Sequence, residues 1–204
     1  MKQSILTIAL AALGLLATAT PPGKTNTTLK INAKESSLKW HAKKVTGEHF
    51  GVVQFQDGEL SVEQNKLTGG TFTINMTTID ATDLTGEWKD KLVGHLKSDD
   101  FFSVEKHQTA VLKIKSATPI AGAKASEGKN NYNVVADLTV KGITKEVKFP
   151  ALVVINKGKV TAMADFNIDR TQYDIRYGSK SFFADIGDKA IDNDFNIKVR
   201  VVAQ

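Results

Sequence analysis

From residue 38 onward, apolar and polar residues alternate with a period of two in stretch after stretch. An extended backbone points successive side chains to opposite faces, so this pattern predicts half-buried strands. Leu38, Trp40 and Ala42 alternate with Lys39, His41 and Lys43. In 71–77, Phe72, Ile74 and Met76 share one face, while Thr71, Thr73, Asn75 and Thr77 share the other. Ala110, Leu112 and Ile114 form a further apolar face, and Tyr132, Val134, Ala136, Leu138 and Val140 form another of five residues. The same reading extends through 143–155 and through Val160, Ala162, Ala164, Phe166 and Ile168, and it ends with Phe195, Ile197, Val199 and Val201.

Turn-forming residues divide these runs. Lys141-Gly142 and the NKGK of 156–159 predict tight turns, and the small polar stretch 121–131 predicts a surface loop. Gln56-Asp57-Gly58 contains the Asp-Gly pair favoured in hairpins, so 50–55 and 59–63 are expected to be two strands joined there. The stretch 169–193 predicts a long aromatic and glycine-bearing connection.

One segment breaks the pattern. In 88–97, Trp88, Leu92 and Leu96 recur at i, i+4 and i+8, the spacing of one helical face, and Val93 widens it. Lys89, Asp90, Lys91 and Lys97 fall off that face. Ser98 reads as a fresh N-cap with Asp99 and Asp100 behind it, followed by Phe101 and Phe102 at a turn. The expected class is therefore all-β, with about eight to ten antiparallel strands and one short amphipathic helix. Strands of about ten residues reach roughly 33 Å, which favours closure into a barrel. The helix would then lie near a barrel mouth.

Composition narrows the chemistry. The 204 residues, 41% of them hydrophobic and 24% charged, suit a globular domain with a sizeable core. The net charge of +5 is scattered along the chain, with no dense basic cluster among aromatics, so no nucleic-acid footprint is expected. Cysteine is absent, which excludes disulfides, thiolate chemistry and acylation at a cysteine. At the start of the chain, Lys2, the apolar run 5–16 and Ala17-Thr18-Ala19 predict a signal peptide cleaved near Ala19. That run is shorter than the about 20 apolar residues a membrane span needs. Residues 1–19 are thus expected to be a signal peptide, 20–35 a flexible leader and 36–204 the barrel domain, exported to the periplasm or secreted.

Catalytic patterns are missing. His41, His49, His95 and His107 stand at no metal-ligand spacing, and no serine elbow or phosphate loop occurs. Asp185, Asp188, Asp192 and Asp194 cluster late, but a calcium loop would need a sixth-position glycine and a downstream glutamate. No metal or cofactor is expected. Two of the three arginines, Arg170 and Arg176, fall among Tyr173, Tyr177, Phe182 and Phe183. Aromatics at that density pack into a core or cover a cavity. The arginines either pair with a structural carboxylate such as Asp169 or Asp174, or meet a phosphate or carboxylate headgroup.

Four motifs occur in order: Gly47-Glu48-His49-Phe50-Gly51, His95-Leu96-Lys97-Ser98-Asp99-Asp100-Phe101-Phe102, Asp137-Leu138-Thr139-Val140-Lys141-Gly142-Ile143-Thr144, and Arg170-Thr171-Gln172-Tyr173. Together they resemble the YceI-like family of exported lipocalin-like proteins, over roughly 36–203, and 176–190 resembles the Bacteroidetes-type members. Val93-Gly94 stand where Arg-Asp is common in the family, and Asp174 where glycine is frequent.

The resemblance implies an extended antiparallel barrel of about eight strands whose interior holds a long apolar chain, typically an isoprenoid or fatty-acid derivative. It also implies a periplasmic or secreted protein, in many members a dimer, with no settled enzymatic activity. The expected function is non-enzymatic binding, carriage or storage of such a lipid. The alternatives are a ligand-free envelope module and an enzyme acting on the lipid. Phe72, Ile74, Leu138 and Phe166 are expected to line the pocket from the strands, with Leu92, Leu96, Phe101 and Phe102 lining it from the helical segment. Tyr173 and Phe183 join them, and His95 and Arg170 are placed near the headgroup. If Ala136, Ala162 and Ala164 face inward, they leave room for a chain.

Overall fold

The computed structural model describes residues 26–204. The predicted signal peptide lies outside the described residues. The chain forms β1 (Asn26–Lys30), β2 (Ser37–Lys44), β3 (Gly47–Glu63), β4 (Lys66–Ala81), α1 (Gly86–Lys97), β5 (Thr109–Pro119), β6 (Tyr132–Val140), β7 (Ile143–Asn156), β8 (Lys159–Asp169) and β9 (Ile191–Ala203). Every strand pairing is antiparallel. Strands β2 to β9 run up and down around a closed barrel, sealed by β2 pairing with β9. Closure removes the exposed edges that an open sheet would carry. β1 falls within the stretch read as a flexible leader. It extends the wall by pairing Asn26–Lys30 with the second half of β3, beyond the reach of β2.

The alternating faces fold as their period predicts. Phe72, Ile74 and Met76 of β4 and all five apolar positions of β6 point into one continuous buried core. The Asp57-Gly58 pair departs from expectation: it makes no turn. β3 runs unbroken through it, and the register slips between Phe55 and Asp57, as at a bulge. Gly58 is needed there because a Cβ would stand 2.8 Å from the Phe72 ring. The true hairpin is Gln64-Asn65, both at positive φ.

The helix also differs from its reading. α1 begins at Gly86, and Ser98 is its C-cap, not a fresh N-cap. The Ser98 N–H donates to the carbonyls of Gly94 and His95, and its hydroxyl donates to His95 O at 2.8 Å. Only Leu96 of the apolar stripe is fully buried, while Trp88 is 72% exposed. The stripe therefore runs from the interior out into solvent.

Antiparallel up-and-down order puts four connections at one end of the barrel: 45–46, 82–108, 141–142 and 170–190. At this end β7 and β8 part. They pair only from Ala151↔Ala164 to Asn156↔Lys159, so 165–169 of β8 meet β9 alone. Pro150, which has no N–H to donate, stands where they separate. The short 3-10 turn Arg170–Tyr173 packs into the split against β7 and β9.

Candidate ligand-binding cavity

Inward side chains leave a cavity of about 190 Å³ that reaches from the lower barrel to the end carrying α1. At its lower part lie Leu60, Leu67, Val134 and Ala162. At its upper part lie Leu96, Phe101, Ile175 and Ile191. Ala162, Ala164 and Phe166 are half-buried although they face inward, because the cavity, not protein, lies in front of them. Ala136 is fully buried and does not border it. Phe149 and Phe166 stack face to face at 4.1 Å and 7°, at the level where β7 and β8 separate.

Among the described residues, the lining contains two that are not apolar, Arg170 and Asp192. No described serine, threonine, histidine, lysine or tyrosine lines it. Arg170 is 4% exposed and makes four hydrogen bonds, all to backbone carbonyls. Nε donates to Asp192 O at 2.9 Å, Nη1 to Ile175 O at 2.9 Å and Tyr177 O at 2.8 Å, and Nη2 to Ile191 O at 3.0 Å. Of the guanidinium's five N–H groups, one on Nη2 is left over. Burial lowers the Arg170 pKa, and the charges of Asp169 and Asp192 partly offset it. The fork therefore stitches 170–177 to the start of β9 and holds positive charge at the top of the cavity. Arg176 takes the carboxylate role foreseen for the pair, meeting Asp174 at 2.6 Å on the surface.

The sequence-predicted residues divide in two. Phe72, Ile74, Leu96, Phe101, Phe102, Leu138, Phe166 and Arg170 border the cavity. Leu92, His95, Tyr173 and Phe183 do not. Leu92 and His95 lie in an open groove of about 330 Å³ outside the mouth, together with Leu84, Trp88, Lys44, Lys91 and His49. His95 meets Asp100 at 3.2 Å and packs edge-on against Phe101 and Tyr177 at 4.9 and 4.5 Å. It thus ties α1 to the 170–190 connection. Phe183 is 49% exposed. Tyr173 is 1% exposed, and its hydroxyl has no hydrogen-bond partner among the described residues. Burial, reinforced by Asp169, pushes that phenol up to about 12.

Sequence reasoning missed Trp40, Phe55, Phe149, Phe195 and Val199 as lining. Their inward faces were legible from alternation, but which of them border empty space depends on the opposite wall. Trp40 is held by its Nε1–H donating to Asp80 O at 3.2 Å over Gly51, where a Cβ would stand 2.8 Å from the indole. Beside it, His49 meets Asp83 at 2.7 Å, and Phe50 N–H donates to the same carboxylate. Burial alone would raise the Asp83 carboxyl, but these two bonds hold it below its usual range. They pin the entry to α1 on β3. Among the described residues, no helix is long and apolar enough to cross a membrane, and no cluster of acidic, histidine or cysteine side chains could hold a metal.

Comparison with known proteins places this barrel. The UPF0312 protein of Shewanella denitrificans is 27% identical over 153 residues, 74% of this chain and 73% of its own length. Among solved structures, Burkholderia cenocepacia BcnA superposes with a TM-score of 0.67 at 20% identity, covering 85% of this chain and 99% of that one. A polyisoprenoid binding domain from Saccharophagus degradans, implicated in plant cell wall breakdown, superposes with a TM-score of 0.59 at 13% identity, covering 86% and 97%. These likenesses are of fold. The YceI-like domain model matches residues 29–203, β1 partly included, and the chain belongs to the YceI-like family.

Proposed function

We propose that this protein binds, and carries or stores, a long-chain apolar amphiphile in the barrel, without catalysing its conversion, in the periplasm or outside the cell. The observation that carries this reading is the cavity itself: apolar along its length, with Arg170 and Asp192 at one end. Burying one five-carbon isoprene unit stabilises a complex by up to roughly 3–4 kcal/mol, at about 0.8 per carbon. Several units bind well with few polar contacts. The one uncommitted N–H of Arg170 suits an acceptor headgroup such as a quinone carbonyl, a carboxylate or a phosphate. A structural relative described as a polyisoprenoid binding domain supports the same class of ligand.

Size qualifies the mode of binding. The cavity of about 190 Å³ exceeds the void of about 150 Å³ that admits benzene in an engineered protein, and falls short of the about 300–1,000 Å³ of drug-sized sites. A longer chain must part the side chains in front of it. The Phe149–Phe166 stack lies beside the β7/β8 split, where no β7–β8 backbone pairing resists that.

Native mass spectrometry of the protein, exported and purified without detergent, tests the proposal. A stoichiometric adduct of defined mass is expected, and organic extraction then names its class. A bare protein mass that persists after isoprenoids and fatty acids are offered would overturn the reading in favour of a ligand-free interaction module. Leu96→Arg places a charge in the upper cavity and is expected to abolish the adduct while far-ultraviolet circular dichroism stays unchanged. Undiminished adduct in that variant would refute the position given to α1.

A further inference from the structure

We propose that the barrel end carrying α1 docks on the surface of a lipid bilayer, with Trp88 and the aromatics of 170–190 entering the interfacial layer. The choice of a bilayer rests on the carrier reading above. The surface itself does not.

Exposed large apolar side chains are unevenly placed. Val45, Phe50, Trp88, Tyr177, Phe182 and Phe183 belong to the α1 end, and among the described residues only Val154 and Met163 lie elsewhere, on β7 and β8. The opposite end is closed by Gln64-Asn65, the polar loop 120–131 and Lys157-Gly158, and among the described residues its one exposed large apolar side chain is Val154, beside the last of these turns. Cavity and surface are continuous through α1. Leu96 lines the cavity, Leu92 lies in the outer groove, and Trp88 stands in solvent, a path of roughly 12 Å at 1.5 Å per residue. A second path runs from Phe101, in the lining, to Tyr177 at 5.7 Å.

Several charges on this end are paired with one another. Lys89 meets Asp80, Lys91 meets Glu87 and Lys106 meets Asp99, each at 2.7 Å, while Arg176 meets Asp174. Aromatic side chains set among paired charges match the interface of a zwitterionic bilayer, where Trp and Tyr settle at headgroup depth. A strongly anionic partner would find little net attraction. The exposed groups come from three separate connections and the start of β3, and a bilayer is the partner that also supplies or receives an insoluble cargo at the mouth.

The test uses the mature protein with phosphatidylcholine vesicles, scored by flotation and by quenching of tryptophan emission with brominated acyl chains. Trp40 lines the cavity and Trp88 is exposed, so the two reporters are separable. Wild type is expected to float with vesicles, with quenched and blue-shifted emission. Trp88→Phe is expected to remove most of the quenching. Trp88→Ser, and separately Phe182→Ser with Phe183→Ser, are expected to weaken vesicle binding about tenfold, with unchanged circular dichroism because these side chains are exposed. Absence of flotation overturns the proposal. So does full quenching in Trp88→Phe, which would report lipid reaching Trp40 without docking, and so does a dimer that Trp88→Ser dissociates while vesicles bind nothing. Native mass of the same samples separates the two readings. An adduct without flotation sinks docking alone, whereas flotation without any adduct sinks the carrier reading and leaves docking standing.

Discussion

Tyr173 holds its hydroxyl in the protein interior with no partner among the described residues. A buried, unsatisfied polar group costs about 1–3 kcal/mol, so Tyr173→Phe is expected to raise stability by about 1 kcal/mol in a denaturant melt. Its pH dependence has a definite sign. The unfolded chain releases the phenol proton near pH 10, whereas the folded one holds it to about 12. Between those values the unfolded state binds fewer protons, so stability is intact below pH 10 and falls as pH rises toward 12, by up to about 2–3 kcal/mol. The difference between wild type and Tyr173→Phe should widen over that window. A constant difference would show that the phenol is not buried as described. Arg170, three residues earlier, is the opposite case, with nearly every donor used. Its cluster with Tyr173 and Arg176 stands out in the sequence, but its partners do not. Backbone carbonyls have no residue identity, so the choice between a structural and a headgroup arginine could not be read from side chains nearby.

Among the elements, β1 is the one that alternation did not reveal. Five residues, NTTLK, offer a single large apolar side chain, Leu29, and too short a period to stand out from a polar leader. Leu29 nevertheless joins the core, and its backbone pairs with Leu60, which is 1% exposed. Removing residues 20–30 is expected to cost about 2–4 kcal/mol through lost burial and an uncovered edge on β3. Hydrogen exchange at 59–63 should accelerate in the truncated protein far more than at 132–140. Uniform protection across both would show β1 to be dispensable. The longer strands were legible wherever the two-residue period ran unbroken, as in β4 and β6. It failed at Asp57-Gly58 because a bulge and a turn use the same residues, and only the ring of Phe72 on the facing strand decides between them. α1 was legible as a helix, yet its stripe does not say where burial stops. That limit is set by the mouth: Leu96 reaches the barrel interior, and Trp88 has run past its rim.

At the scale of the whole molecule, closure follows from pairing β2 with β9, some 150 residues apart in sequence. Inward alanines such as Ala162 and Ala164 could be seen in advance, but a void is a property of two facing walls and has no pattern of its own. A barrel that keeps such a void forgoes the contacts that filling it would provide, since lining atoms have no partner across the gap. A ligand bound only by the folded state restores them, and stabilises it by about 2.7 kcal/mol at a hundredfold excess over Kd. For a domain of this size, extraction of the lipid is therefore expected to lower Tm by about 5–10 °C, and returning the extracted lipid should restore it. Because the lining is apolar, a tenfold change in salt should leave that difference unaltered, whereas a headgroup held mainly by Arg170 would make it shrink. Calorimetry of the extracted, restored and untreated protein at two salt concentrations separates these cases. Equal melting temperatures in all three samples would mean that the walls close on themselves and that the cavity does no binding.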